Sequence, residues 1–247
     1  MKCTFPLALT FLTVFPWPRL REVTPGDLVR SLFWYPWVGA LLGLIYWGAG
    51  VLLIKFFLPL AAAALLLLLT VLLTRGLHLD GLADTVDGLG GGRTPEERLA
   101  IMKDSRLGAF GGISLVLVLL LKFAFLQTLL SLTMARSLIL FPLISRWGLV
   151  LLAGMAPYAR PGGGLGQAMT DGATTTLIAG ATVSALILSF VAGGIRGPVI
   201  LGLAGLVLWV LSWYSSRTLG GITGDVYGAT AELLETFVLG SLALWGP

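Results

Sequence analysis

Residues 61–88 read AAAALLLLLTVLLTRGLHLDGLADTVDG, an apolar run that leads directly into a segment with three aspartates. The part from Ala61 to Thr74 carries no charge, and Asp80, Asp84 and Asp87 follow shortly after its end. The whole chain of 247 residues has only 12 acidic side chains. The stretch therefore predicts a membrane protein with an acidic site next to the end of a membrane helix.

The composition of the chain supports a membrane fold. Apolar residues make up 57% and charged residues 11% of the chain, whereas soluble domains have about 45–50% and about 25%. Because a spanning helix needs about 20 mainly apolar residues, we predict an all-α fold, a polytopic integral membrane helical bundle of about six to seven transmembrane helices with short loops. Residues 1–247 would form a single membrane-embedded domain. The candidate spans are Leu32–Ile54, Phe56–Thr74, Ala109–Leu130, Met134–Met155, Thr174–Ile195, Pro198–Tyr214 and Ala229–Trp245.

Residues 75–108 are the longest polar stretch, and we predict that they form a cytoplasmic segment with the aspartates and a short surface helix. Thr94 and Glu97 have the spacing of a capping box, and Pro95 suits the first helical position. The helix is expected to run from Pro95 to about Asp104. The glycine-rich residues 88–92 predict a flexible break before it. A further short apolar stretch, residues 5–15, is expected to be re-entrant or interfacial.

The distribution of lysine and arginine predicts the orientation. With the N-terminus inside, most basic residues outside the spans fall on the cytoplasmic side, and Lys55 and Arg196 fall on the other side. This is the asymmetry of the positive-inside rule. We therefore expect an integral membrane protein whose aspartate segment faces the cytoplasm.

The spacing of the three aspartates is typical of one helix face. Offsets of four and seven residues return to within about 40° of the start, so the carboxylates of Asp80, Asp84 and Asp87 would lie together. Like charges at this spacing weaken a helix, and Mg²⁺ commonly binds one or two carboxylates together with substrate phosphates. The pattern predicts a metal site; a solvated acidic patch and a cation-coupled transport site are the alternatives.

Further acidic residues lie in the last predicted span. Asp225 stands at its cytoplasmic end and is expected to join the first cluster. Glu232 and Glu235 lie deeper, where carboxylates are costly and face a cavity or a partner. They either belong to a functional site or form structural ion pairs with basic residues of other spans, namely Lys122, Arg136 or Arg146.

Two more groups are candidates for binding or catalysis. Lys103 and Arg106 flank Asp104 just before a glycine-containing helix start, an arrangement that suits phosphate, although a basic patch that meets anionic lipid has the same composition. His78 is the only histidine. It is either a metal ligand or base, or a structural hydrogen-bonding residue.

The types of residue present exclude several kinds of functional site. Cys3 is the only cysteine, so there is no disulfide framework and no thiolate metal site. No nucleic-acid-binding patch or serine-nucleophile pattern is present. Carboxylates near basic side chains instead indicate metal-assisted phosphoryl transfer, which defines a transferase acting on a phosphate or diphosphate ester without naming its substrate.

The motifs resemble one enzyme family along nearly the whole chain. The segment RGLHLDGLADTVDG at residues 75–88 resembles the signature of cobalamin synthase, the adenosylcobinamide-GDP ribazoletransferase family. Four later segments resemble further family segments in the same order, namely MKDSRLGAFG at 102–111, SRW at 145–147, APYAR at 156–160 and GDVYGATAE at 224–232.

The resemblance implies a transferase that joins adenosylcobinamide-GDP to α-ribazole or α-ribazole 5′-phosphate and releases GMP with Mg²⁺ as cofactor. It implies that Asp80, Asp84 and Asp87 are catalytic and hold the metal with Asp225. Phosphate would be bound by Lys103, Arg106 and Arg146, and the further candidates are His78, Asp104, Glu232 and Lys122. The expected partners are these small-molecule substrates and membrane lipid, with no nucleic acid, and a homo-oligomer is left open. The alternatives are a membrane phosphotransferase that uses a nucleotide-activated lipid and a cation-coupled transporter.

Overall fold

A computed structural model describes residues 4–16, 23–160 and 164–246, and these residues fold almost entirely into helices. Their order is α1 (Thr4–Leu12), α2 (Pro25–Ser31), α3 (Tyr35–Phe56), α4 (Pro59–Thr74), α5 (Leu77–Gly91), α6 (Pro95–Ile101), α7 (Ala109–Ser131), α8 (Leu140–Ala153), α9 (Leu165–Gly172), α10 (Thr175–Gly193), α11 (Arg196–Leu219) and α12 (Gly224–Trp245). Short 3₁₀ turns precede α3 and α8, at Leu32–Trp34 and Ala135–Ile139. The predicted all-α membrane fold is confirmed.

By length and composition, five helical segments of the described chain can cross a membrane, and a bent pair raises this number to six. The five are Pro25–Phe56, Ala109–Ser131, Ala135–Ala153, Thr175–Gly193 and Arg196–Leu219, and the pair consists of α4 and α5. The last predicted span coincides with α12. This helix is not in the set because Asp225, Glu232 and Glu235 lower its apolar character.

The chain turns by 88° between α4 and α5. Two consecutive residues in the left-handed region make this turn, Arg75 with φ 55° and Gly76 with φ 64°. The amide of Gly76 donates to the carbonyl of Val71 over 3.0 Å, which closes the C-terminus of α4. Helix α5 therefore leaves the line of α4, and the aspartate segment crosses the end of the bundle instead of continuing the apolar helix.

The glycine-rich residues after the aspartates are helical, so the predicted flexible break is wrong. Helix α5 continues to Gly91. The reason lies in packing: a Cβ at Gly88 would come within 2.4 Å of Met102, and one at Gly90 within 2.6 Å of the Phe110 ring. The glycines allow α6 and the start of α7 to approach α5 closely.

The predicted surface helix is confirmed as α6, with both halves of the capping box between Thr94 and Glu97. It ends at Ile101, three residues before the expected boundary, in a turn that leads to α7. A guanidinium nitrogen of Arg98 donates to the carbonyl of Thr218 over 2.9 Å and ties α6 to α11.

Helices α3, α8 and α12 form the centre of the bundle. Almost every residue of α8 is buried, and Gly39 and Gly43 of α3 lie against backbone atoms of Pro142 and Ile139. Large apolar side chains of α7, α10 and α11 point outward and are exposed, as expected where lipid is the solvent. The acidic residues predicted to hold the metal therefore lie on central helix α12 and on α5, which packs against it.

Candidate active site

The main cavity of the site lies beside α5 and measures about 730 Å³. Helix α1, the turn between α4 and α5, and the segment before α7 enclose it, and its polar lining consists of Thr10, Thr13, Thr74, Arg75, Asp80, Asp84 and Ser105. In the described chain, neither Asp80 nor Asp84 has a hydrogen-bond or ion-pair partner. Two of the three aspartates that the helical spacing places together therefore face one cavity without a partner among the described residues.

Asp225 comes close to these carboxylates because α5 and α12 touch backbone to backbone. A Cβ at Gly81 would lie 2.7 Å from the carbonyl oxygen of Asp225, and one at Gly228 would lie 3.1 Å from the Cα of Gly81. Burial and the negative charges of Asp80 and Asp225 raise the pKa of Asp84 to about 6. The expectation that Asp225 joins the first cluster agrees with this arrangement.

Arg160 is a site residue to which the sequence analysis assigned no role. Backbone hydrogen bonds pair residues 157–159 with Ile222: the amide of Ala159 donates to the carbonyl of Ile222 over 2.8 Å. This pairing places the Arg160 guanidinium 2.5 Å from the Asp225 carboxylate. Its Nε is buried without a hydrogen-bond partner. The segment APYAR was recognised, but its contact with residue 225 depends on tertiary pairing and leaves no local pattern.

Asp87 has a different environment from Asp80 and Asp84. One of its carboxylate oxygens accepts from the amide of Gly108 over 2.8 Å, and the other accepts from the amide of Gly111 over 2.7 Å. The side chain is buried, and a Cβ at either glycine would overlap it. Asp87 therefore anchors the N-terminus of α7, where a negative charge is favourable, and it does not line the main cavity.

A second cavity of about 270 Å³ adjoins the site, and the lining residues that it shares with the main one are Phe11, Leu77 and the carboxylate-bearing Asp80. Its lining comes from α1, α3, α5, α8, α9 and α12 and is mostly apolar or aromatic, with Phe11, Tyr35, Leu149, Met169 and Tyr227 among its residues. Asp225 and His78 also line it. Two spaces therefore meet at one carboxylate.

His78 lies on α5 between this second cavity and the interior of the bundle. Its side chain is buried, and the described chain gives neither ring nitrogen a hydrogen bond. Burial, with a smaller effect of the Arg146 charge, lowers the pKa of His78 to about 3, so the imidazole is neutral. A neutral, unpartnered imidazole is available to a ligand but does not match the expected structural hydrogen bond.

The structure does not bring the predicted phosphate-binding pair to the cavities. Lys103 is exposed, and the Arg106 guanidinium binds the carboxylate of Asp104 over 2.6 Å. The hydrogen bonds from Arg106 lower the pKa of Asp104 to about 2. Neither basic side chain lines either cavity, whereas their neighbour Ser105 and the basic Arg75 do. The cations near the carboxylates are thus Arg75 and Arg160.

Four charged side chains form a buried cluster inside the bundle. The Lys122 ammonium lies 2.5 Å from Glu232 and 2.6 Å from Glu235, and Glu235 also pairs with Arg146. All four are nearly inaccessible. The structural ion-pair alternative is therefore observed for four of the five predicted residues, but the predicted partner Arg136 instead donates to the carbonyl of Val191.

This cluster corrects two expectations. Arg146, expected to bind phosphate, lies in the bundle interior with Glu235 and does not line the main cavity. The transporter alternative draws on the charged residues within the spans. Because Lys122, Arg146, Glu232 and Glu235 pair with one another, they lend it no support. Nothing else in the described geometry favours transport.

The residues present fit a Mg²⁺ ion held by two carboxylates, but not one held by three aspartates of α5. In the described parts of the chain, no three acidic, histidine or cysteine side chains are grouped closely enough to bind a metal, and Asp87 is occupied by two amides. Asp80 and Asp84 remain free beside the cavity. Because Mg²⁺ typically takes one or two protein carboxylates and completes its shell with water and phosphate, this pair is a sufficient donor set.

Comparison with known proteins gives one consistent result. The family model described as cobalamin-5-phosphate synthase matches residues 4–243. A protein of Desulfitobacterium hafniense is 44% identical over 98% of this chain and 97% of its own length, and one of Desulforamulus reducens is 42% identical over 97% and 95%. Both are named adenosylcobinamide-GDP ribazoletransferase. No solved structure is significantly similar. The chain belongs to the cobalamin-5-phosphate synthase family.

Proposed function

We propose that this protein is a Mg²⁺-dependent membrane transferase that joins adenosylcobinamide-GDP to α-ribazole, or to α-ribazole 5′-phosphate. The products are adenosylcobalamin, or its 5′-phosphate, and GMP. A ribose hydroxyl forms a bond to the phosphorus attached to cobinamide, and the bond from that phosphorus to the bridging oxygen of GMP breaks. The names of the relatives supply the substrate class.

One observation carries the proposal: the unpaired carboxylates of Asp80 and Asp84 face a cavity of about 730 Å³ next to a second cavity. Small-molecule sites commonly measure about 300–1,000 Å³, so the main cavity has room for the diphosphate and part of the nucleotide. A transferase with two substrates needs two adjoining spaces and a reacting centre between them. Asp80, which lines both cavities, marks that centre.

Asp80 and Asp84 would hold the metal, and Mg²⁺ would supply charge stabilisation to the phosphate oxygens and the leaving group. Burial and the negative charges of Asp80 and Asp225 raise the pKa of Asp84, and these neighbouring negative charges favour a bound cation. One carboxylate of the pair takes the proton of the attacking hydroxyl. Asp225 would become a third ligand only when Arg160 releases it, because the two side chains are paired.

Two basic side chains near the carboxylates would orient the diphosphate. Arg75 lines the main cavity at the turn between α4 and α5. Arg160 presents an unpartnered Nε beside Asp225, and guanidinium groups bind phosphate through paired hydrogen bonds. We assign these two residues to substrate phosphate and place Lys103 and Arg106 at the outer approach.

The proposed location is the cytoplasmic face of the prokaryotic cytoplasmic membrane, as the distribution of lysine and arginine predicts. Cysteine substitutions at exposed Ser105 and at Lys55, on opposite sides of the predicted bundle, test this orientation in a Cys3→Ser background. A membrane-impermeant thiol reagent added to intact cells should label residue 55 and not residue 105. The reverse pattern would contradict the orientation.

The reaction itself is tested with the purified protein in detergent. Adenosylcobinamide-GDP and α-ribazole with Mg²⁺ should yield GMP and a cobalamin in equal amounts, and EDTA should stop both. Recovery of intact substrates in the presence of Mg²⁺ would contradict the proposal. A lipid product with release of a nucleoside monophosphate would instead identify a phospholipid-type phosphotransferase.

A further inference from the structure

The second cavity contains a polar group that the proposed reaction chemistry does not use. His78 lines this cavity and is buried, and the described chain offers its ring nitrogens no hydrogen bond. Buried polar atoms are nearly always hydrogen-bonded, and an exception calls for an explanation. A ligand that hydrogen-bonds to the imidazole would satisfy this group.

The other residues that line the second cavity indicate the chemical class of that ligand. Phe11, Tyr35 and Tyr227 contribute aromatic rings, and Leu149 and Met169 contribute apolar surface. The Tyr227 hydroxyl is already engaged with Thr170 at 2.9 Å, so this ring is held in place and its hydroxyl is not free. Flat, mostly apolar groups with a few polar atoms suit such a wall.

The size and position of the second cavity further limit which ligands it can bind. Its volume of about 270 Å³ is just below the usual range of about 300–1,000 Å³ for small-molecule sites, which suits a bicyclic ring and excludes a corrinoid. Asp80 and Asp225 line its wall, and Asp80 also faces the main cavity. A nucleoside with its base inside this cavity would have its ribose beside the carboxylates.

We propose that the second cavity binds the fused heteroaromatic base of the acceptor nucleoside and that His78 hydrogen-bonds to a ring atom of that base. This inference rests on the proposed function, because it assigns the acceptor of that reaction to a particular space. His78 is then a specificity-determining residue for the acceptor. It takes no part in holding the metal.

A glycine in the cavity wall gives a direct test. Gly224 lines the cavity, and a Cβ at this position meets no atom within 4 Å, so Gly224→Leu introduces an apolar side chain at the cavity wall through a Cβ that has room. We expect this variant to raise the KM for α-ribazole and to leave the KM for adenosylcobinamide-GDP unchanged. Gly202→Leu on exposed α11 is the matched control, since a Cβ there also meets nothing, and it should change neither KM.

Two substitutions at His78 distinguish the effect of its ring shape from the effect of its hydrogen bond. His78→Phe keeps a ring and should raise the KM for α-ribazole about tenfold, the equivalent of roughly one hydrogen bond, whereas His78→Asn should restore part of the affinity. Equilibrium dialysis of the wild-type protein should show that the free benzimidazole base competes with α-ribazole and that ribose 5-phosphate does not.

The outcomes separate this inference from the proposed function. If wild-type protein turns over and Gly224→Leu leaves the KM for α-ribazole unchanged, the base binds elsewhere and the inference is wrong. The same conclusion follows if the free base does not compete. If wild-type protein makes neither GMP nor a cobalamin, the proposed function itself fails. The Gly224 variant keeps the test decisive even if His78→Phe does not fold.

Discussion

Gly81 of α5 and Gly228 of α12 lie in direct backbone contact, so that a Cβ on Gly228 would stand 3.1 Å from the Cα of Gly81. This contact sets the distance between the helix that carries Asp80 and Asp84 and the helix that begins with Asp225. The close approach needs two small residues, because any side chain would push the helices apart. The geometry of the acidic site therefore depends on two residues that carry no functional group.

Gly81→Ala should separate α5 from α12 and reduce turnover strongly. The added methyl group would lie 2.7 Å from the backbone carbonyl oxygen of Asp225, and overpacking of this kind costs about 1–3 kcal/mol. The measurement is GMP release together with thermal unfolding in detergent. Gly48→Ala in α3 is the control, since a Cβ there meets nothing within 4 Å; wild-type turnover of Gly81→Ala would refute the role of the contact.

Asp87→Asn should lower stability more than Asp84→Asn does. Asp87 accepts two amide hydrogen bonds at the start of α7, and hydrogen bonds to charged groups contribute about 1.5–3 kcal/mol. Asp84 makes none in the described chain, so its substitution should leave the unfolding temperature close to that of wild type. Equal unfolding temperatures of the two variants would mean that Asp87 does not anchor α7.

Arg160→Gln should weaken the binding of the diphosphate substrate and raise its KM. The substitution removes the guanidinium that pairs with Asp225 and whose buried Nε has no hydrogen-bond partner in the described chain. Arg160→Lys keeps the charge but not the planar fork, so it should restore part of the affinity. Steady-state kinetics with varied adenosylcobinamide-GDP measure this effect, and Arg217→Gln, on α11, serves as the control. An unchanged KM in Arg160→Gln would remove Arg160 from the site.

Lys122→Met should destabilise the protein strongly, because it leaves Glu232 and Glu235 buried with one cation between them. Removing one partner of a buried ion pair costs about 3–5 kcal/mol. The double variant Lys122→Met with Glu232→Gln keeps the pair of Glu235 and Arg146 and should recover much of the loss. Thermal unfolding of the two single variants and the double variant measures the coupling; additive effects would argue against the cluster.

The helices and their order could be predicted from the sequence because long apolar runs and a capping box are local signals. Spacing alone predicted a shared face for Asp80, Asp84 and Asp87, and the first two line the main cavity. The glycine run at 88–92 misled the prediction, since glycine also serves close helix packing, and only the positions of Met102 and Phe110 reveal this.

The site was predicted in part, and the errors share a cause. The role of Asp87 depends on the amides of Gly108 and Gly111, and that of Arg160 on backbone pairing with Ile222. Arg146 was assigned to phosphate through the family resemblance of its segment, yet it pairs with Glu235 in the bundle interior. The sequence does not show which group a charged residue contacts in the folded chain. The roles of Asp87, Arg146 and Arg160 therefore depend on tertiary contacts.

The central claim is that Asp80 and Asp84 hold the Mg²⁺ that this transferase uses. Its most direct test is the dependence of GMP release on Mg²⁺ concentration in wild-type protein and in Asp84→Asn, with exposed Asp171→Asn as the control. We expect Asp84→Asn to fold normally and to release no GMP at the Mg²⁺ concentration that saturates wild type, while Asp171→Asn follows the wild-type curve. A wild-type Mg²⁺ dependence in Asp84→Asn would contradict it.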